Sequence, residues 1–447
     1  MSKTLSLCAV IAGMVLLALA GCGGGGGTDG GPSAPAALSY TVGGRIDGLK
    51  SGGLTLASGT DKLVVASAAT SFALPTALPT GTGYSVSIAV QPPRFTQHCV
   101  LTNGSGTIAS ANVTNVTVTC SDQLPALVST LAGTNNPTKF DVGLPAVFNH
   151  PQGLTVDAGG NVFVADRQNG RIAKITPGGT VTTFVGRPPG QPATDAELAF
   201  GYADDITRDQ DGNFYVVGNH MVRKITKDGV VTTVAGAADE GYADGTGAQA
   251  RFNTPLGITI DSAENLYVAD TLNQRIRKIT PAGVVTTVAG NGARGLANGT
   301  ALQASFNNPY GIAVDRAGNV FCVDTGNELI RKVTPDGTVS TFAGSVRFTE
   351  ASVDGLGSQA SFKAPTGLTI DADGNLYVTE SGKVRTITPS AYVSTVAGSG
   401  AAYGPLPVEG GASVATFASP RGIALDAAGN LYVGDADAGR VRKIVQQ

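Results

Sequence analysis

A motif that returns at a near-constant interval restricts what most of this chain can fold into. Phe148, Phe200, Phe252, Phe306, Phe362 and Phe417 open six copies at spacings of 52, 52, 54, 56 and 55 residues. Self-similarity at such a period marks one supersecondary unit used repeatedly, each copy unable to bury its apolar face alone. The fullest copy, FNTPLGITIDSAENLYVADTLNQRIRKITPAGVVTTVAG from Phe252 to Gly290, holds four strand-sized apolar runs: GITID, NLYVAD, RIRKIT and VVTTVAG. Turn residues separate them. Four antiparallel strands per copy, six times over, predict an all-β chain built as a six-bladed β-propeller of four-stranded blades around a central channel.

The ends of the array predict how the ring closes. The sixth copy stops after three strands, at Arg440–Ile444, while the missing VSTxAG-type strand stands before the first copy, over 128–133. That strand is expected to complete the last blade and remove an open sheet edge. In P-x-G-[IL], D-x-x-G-N-[LV]-[YF]-V, the R-[IV]-R-K-I-T-P block and V-[ST]-T-x-A-G, the repeats resemble the NHL family. The resemblance covers residues 128–447.

Residues shared by all copies answer a shared folding problem. Asp157–Asn161 and its counterparts at 209, 261, 315, 371 and 426 fit turns, with Asp accepting backbone N–H groups and Gly or Asn tolerating positive φ. Their spacing lacks the carboxylate series of a calcium loop. No cofactor is expected, and a structural calcium in the channel is the one ion left open.

Strand alternation puts the second–third turns and the blade-to-blade linkers on one face. That face carries the candidate binding residues Asp166, Asn169, Arg171, Asp244, Asp270, Asn273, Arg275, Asp324, Asn327 and Asp354. A competing reading pairs the Asp and Arg side chains of neighbouring copies in an exposed ion-pair belt, worth about 0–1 kcal/mol per pair. The second copy departs from its sisters: Pro-x-Gly becomes Ala203-Asp204-Asp205, and the second–third turn reads Gly218-Asn219-His220. Glu264, Leu329 and Glu380 are smaller departures. His150 precedes the first strand of copy one, so His150, His220, Asp204 and Asp205 are expected near the channel mouth, with the two histidines as weak metal-ligand candidates.

Ahead of the repeats, Lys3 and the apolar run Leu5–Leu19 end in Leu19-Ala20-Gly21-Cys22. This resembles the lipobox of bacterial lipoproteins and implies a signal peptide over 1–21 with Cys22 lipidated. Each buried acyl CH₂ contributes about 0.8 kcal/mol, so two or three chains hold stably. Gly23 rather than Asp after the Cys implies the outer membrane, facing periplasm or cell surface. Residues 22–37 form a Gly-rich tether. Residues 38–122 read as short strands of a small β-sandwich resembling Ig-like spacer modules, with Cys99 and Cys120 disulfide-bonded in an exported protein. Residues 123–447 form the propeller. Cys322 lies in an apolar strand, where an inert buried thiol is expected.

These features favour a membrane-anchored binding propeller of the cell envelope, its partner a protein, peptide or glycan. With a net charge of -3 and no Lys/Arg block, nucleic acid is excluded as a partner. The NHL resemblance also implies an alternative, since some relatives are metal-dependent lyases and related folds are lactonases. The sequence offers no catalytic motif and only two histidines in the repeats, so enzymatic activity is not expected.

Overall fold

The structure is a computed structural model that describes residues 38–133, 148–186, 201–346, 351–400 and 407–446. The expected signal peptide, Cys22 and the tether lie outside those residues.

Residues 39–122 form short strands where the apolar alternation places them. One sheet runs in the order Ser71–Ala73, Val42–Asp47, Val113–Asp122, Gln97–Thr102, and a second joins Asp61–Val64, Thr55–Ser58 and Ser87–Val90. Val42–Asp47 pairs parallel with Val113–Asp122. Val42, Ile46, Leu54, Leu56, Val116 and Val118 share one buried core. Cys99 stands directly across the ladder from Cys120, and the two are disulfide-bonded.

This region is joined to the later repeats by defined contacts. Phe95 packs edge-on against Tyr377, with ring centroids 6.5 Å apart. Arg94 donates to the Ala428 carbonyl at 2.6 Å, and Gln446 donates to Gln123 at 2.8 Å.

Each repeat is a meander in which consecutive strands pair antiparallel. In copy three the strands are Pro255–Ile260, Leu266–Asp270, Arg275–Ile279 and Val284–Ala289. The second strands, Val162–Asp166 in copy one through Leu431–Asp435 in copy six, are buried at every residue. Both of their faces therefore need apolar side chains, which explains runs such as NLYVAD that do not alternate with polar residues.

The cores lie between copies rather than within them. Phe163, Ala165 and Ile172 of copy one pack with Ile206, Phe214 and Val216 of copy two. Leu154 and Val164 pack with Tyr432 and Val441 of copy six. Burying one such large side chain contributes about 1.5–3 kcal/mol, so a copy without neighbours would lose most of its stabilisation. The first strands touch one another in chain order, and that of copy six, Pro420–Leu425, touches that of copy one, Pro151–Val156.

The final sheet contains strands from both ends of the repeat region. Ala126–Gly133 pairs antiparallel with Arg440–Gln446, with Val128 opposite Ile444 and Thr130 opposite Arg442. This supplies the fourth strand that copy six lacks. Cys322 is buried, and burial pushes its thiol well above the usual range, so it is inert as a nucleophile.

Candidate functional site

The Gly of Pro-x-Gly lets the first strands crowd the axis. A Cβ on Gly257 would lie 2.1 Å from the Tyr310 carbonyl oxygen, and one on Gly311 2.4 Å from that of Thr366. On Gly367 it would meet the Arg421 oxygen at 2.1 Å, and on Gly422 the Gln152 oxygen at 2.2 Å. These contacts are with backbone, so a side chain has nowhere to go.

Copy two alone breaks the rule, with Asp205 in the glycine position. Its carboxylate accepts the backbone N–H of Ile206 and, from the next copy, that of Ile258, both at 2.9 Å. It lies so close to copy one that a Cβ on Gly153 would fall 1.9 Å from Asp205 Oδ1. Burial pushes its pKa up to about 7; the two N–H bonds oppose this and neighbouring Asp204 adds to it.

The residue before that glycine differs in every copy: Gln152, Asp204, Leu256, Tyr310, Thr366 and Arg421. Tyr310 Oη donates to Gln152 Oε1 at 2.7 Å, linking copy four to copy one. Burial raises the Tyr310 phenol, and the charges of Arg421, Asp204, Asp205 and Arg167 all act on it. These side chains therefore share one neighbourhood at the axis. Arg167, from the second–third turn of copy one, donates to Asp204 at 2.6 Å and lies over the exposed Tyr202 ring, 5.0 Å from its centroid. Burial raises the Asp204 carboxyl, opposed chiefly by Arg167. A cavity of about 20 Å³ lies among Gln152, Asp204, Asp205, Tyr310 and the glycines, with room for about one water.

The turn of copy two is a tight two-residue hairpin. Asn219 and His220 both take positive φ, 49° and 60°, where copies one, three and four use a one-turn 3-10 helix such as Thr271–Asn273. His220 Nδ1 accepts the Thr254 N–H at 3.1 Å, and its charge acts on Asp204. His150 instead faces Asp437, at 3.7 Å. The two histidines thus have separate partners. Among the described residues no group of three or more His, Cys, Asp or Glu is placed to hold a metal ion.

The repeated acidic residues serve a different purpose from the one their face position suggests. Asp166, Asp270 and Asp324 have no exposed side-chain surface and are ion-paired with Arg171, Arg277 and Arg331 at 2.7, 2.7 and 2.8 Å. Asn169, Asn273 and Asn327 donate to the same carboxylates. The pairs lie within a copy and are buried, not strung between copies in solvent. The linkers are fastened to them: Arg277 also bonds Asp244 and the Ala243 carbonyl, and Arg385 bonds Asp354 and the Val353 carbonyl. Each assembly locks the linker, second strand and third strand together. Copy one has Ala173 where its sisters have this arginine, and Arg171, two residues earlier, reaches the aspartate instead. Glu380 does what aspartate does elsewhere, accepting from Lys363 N and Arg385.

Arg275 stays at the surface, stacked on Tyr242 with 3.7 Å from its guanidinium carbon to the ring centroid. The six turn aspartates each accept the N–H of the asparagine four residues on. A larger cavity, of about 700 Å³, lies beside Arg94, His98 and Gln123 and the turns of copies five and six, whose Asp371 and Asp426 are held by those turn bonds.

Sequence reasoning found Asp204 and Asp205 through the broken Pro-x-Gly. It missed Arg167, Tyr202, Gln152, Tyr310 and Arg421. Their signal was variability: positions that change in every copy are positions the fold does not prescribe.

Residues 148–175 match the model of the NHL repeat. Mouse Teneurin-3 is 30% identical over 264 residues, which is 53% of this chain and 9% of Teneurin-3, so the chain spans about a tenth of that relative's length. A Bacteroides thetaiotaomicron protein of unknown function aligns over 93% of this chain and 99% of its own, with 20% identity and a TM-score of 0.57. An auxiliary nutrient binding protein from Bacteroides ovatus aligns over 93% of this chain and all of its own, at 16% identity and a TM-score of 0.55. The repeats and these likenesses agree on an all-β chain with the NHL β-propeller fold.

Proposed function

We propose that this chain is a lipid-anchored binding protein of the bacterial envelope, whose six-bladed propeller takes a ligand at the channel mouth on the linker face. The observation that carries the reading is the gathering of unrepeated polar side chains at the axis: Gln152, Asp204, Asp205, Tyr310, Arg421 and, from a turn, Arg167. Six copies of one sheet need none of them for folding, and a convergent set of unrepeated polar groups is what orients a ligand. The repeated Asp–Arg assemblies then act as the frame. The likeness to an auxiliary nutrient binding protein supports a small polar nutrient as ligand. Residues 38–122 serve as a spacer between the propeller and a tether over 22–37, with Cys22 carrying the lipid and the outer membrane as the site.

Two measurements test this. Cys22→Ser should move the protein from the membrane fraction to the soluble fraction and abolish labelling by a clickable palmitate analogue. In a thermal-shift screen of small polar nutrients, a hit should weaken at least tenfold in Tyr310→Ala while Val230→Ala leaves it unchanged. A hit insensitive to Tyr310 would move the site elsewhere.

A further inference from the structure

Several arginines of the repeats are committed to partners within the fold. Arg171, Arg277, Arg331, Arg385 and Arg442 are in buried ion pairs, and Arg167 is held by Asp204. Arg421 is different. Among the described residues it is in no ion pair and its guanidinium donates no hydrogen bond, although it is half-buried and close enough to act on the Tyr310 phenol. Its backbone is nonetheless fixed: the carbonyl accepts the Thr379 hydroxyl, and the next residue, Gly422, is pressed against Gln152. A guanidinium with its donors unspent, on a fixed backbone, is available to a partner from outside.

The surrounding charges do not supply that partner. Asp204 is taken by Arg167, and Asp205 is satisfied by the N–H groups of Ile206 and Ile258. Gln152 accepts from Tyr310 through Oε1, which leaves its amide N–H₂ as a second donor at the same level. We propose that the mouth of the channel is an anion subsite, in which Arg421, with Gln152 beside it, takes the carboxylate of a small organic acid such as a sugar acid. The planar guanidinium suits a carboxylate, which it engages through two parallel N–H bonds. This rests on the binding-propeller reading and narrows its ligand from any polar nutrient to an anionic one.

The test is calorimetric titration of the full-length protein with acetate and D-galacturonate, each against its neutral counterpart, acetamide and D-galactose, at fixed ionic strength. The expected result is saturable binding of the acids only, weakened at least tenfold in Arg421→Gln and partly restored in Arg421→Lys. Among the described residues Arg421 donates to nothing, so an unchanged melting temperature shows that the variant is intact. Equal affinity for galactose and galacturonate, or an Arg421→Gln variant that binds the acids as well as wild type, overturns the anion subsite while leaving a neutral-ligand propeller standing. No saturable binding of either acid also overturns it, and the nutrient screen with Tyr310→Ala then decides separately whether the mouth binds anything.

Discussion

Asp205 offers the sharpest quantitative test, because it occupies a place where five sister copies have glycine and where water is nearly excluded. Burial lifts its carboxyl from 3.8 to about 7. A rise of about three units corresponds to about 4 kcal/mol between the two protonation states. The sign follows from proton uptake. Below pH 4 both folded and unfolded chains hold the proton, and nothing is lost. Between about 4 and 7 the unfolded chain releases it while the folded chain keeps it. Stability therefore falls as pH rises, by about 1.4 kcal/mol per unit, and levels off above 7.

Asp205→Asn cannot ionise and lacks this slope. It keeps one acceptor for the Ile206 or Ile258 N–H and turns an N–H₂ toward the other, a roughly constant penalty of about 1–3 kcal/mol. The assay is urea unfolding at pH 5, 6, 7 and 8, followed by tyrosine fluorescence, since the chain has no tryptophan. Between pH 5 and pH 8 the variant should gain about 3 kcal/mol on wild type. Other carboxylates are common to both proteins and cancel in the difference. A difference that stays flat from pH 5 to 8 would mean that Asp205 ionises normally, and the picture of a dry axis would be wrong.

Three further outcomes are expected. Arg331→Met strands the buried Asp324 and removes the bonds to the Ser305 and Ala297 carbonyls, so it should cost about 3–5 kcal/mol in denaturant unfolding, with part recovered when Asp324→Leu is added. Reducing the disulfide between Cys99 and Cys120, 21 residues apart, should destabilise the N-terminal sheets by about 3 kcal/mol, seen as faster hydrogen exchange over Gln97–Thr102. Gly422→Ala drives a Cβ to within 2.2 Å of the Gln152 oxygen and should lower the melting temperature by several degrees; Gly411→Ala, with nothing within 4 Å, should leave it unchanged.

The repeat period made the sheets readable in advance, because each copy solves the same problem with the same residues. The strand completing copy six was equally readable, since a motif missing from one end stood at the other. The repeated aspartates were harder. Asp270 and Arg277 stand seven residues apart on strands that pair, so their meeting is visible in the sequence. Their depth is not, because it depends on Asp244 and the linker folding over them. Glu380 looked like a departure but performs the aspartate's role with one more methylene, reaching both Lys363 N and Arg385. Tyr310 and Gln152 are 158 residues apart and meet only because the copies turn back toward a common axis, a relation no local pattern encodes.

The pairing of Ala126–Gly133 with Arg440–Gln446 bears on when this molecule can fold. One sheet joins strands from opposite ends of the repeat region, so it cannot form until both have been synthesised. Until Arg440–Gln446 has been synthesised, the edge of Ala126–Gly133 that it pairs with is bare. The same arrangement makes the cut point arbitrary. If Ala126 and Gln446, which stand opposite each other, were joined by a short linker and the repeat region reopened between two other copies, every strand of the repeats would keep its neighbours. Such permutants should recover the native sheets but acquire them in a different order.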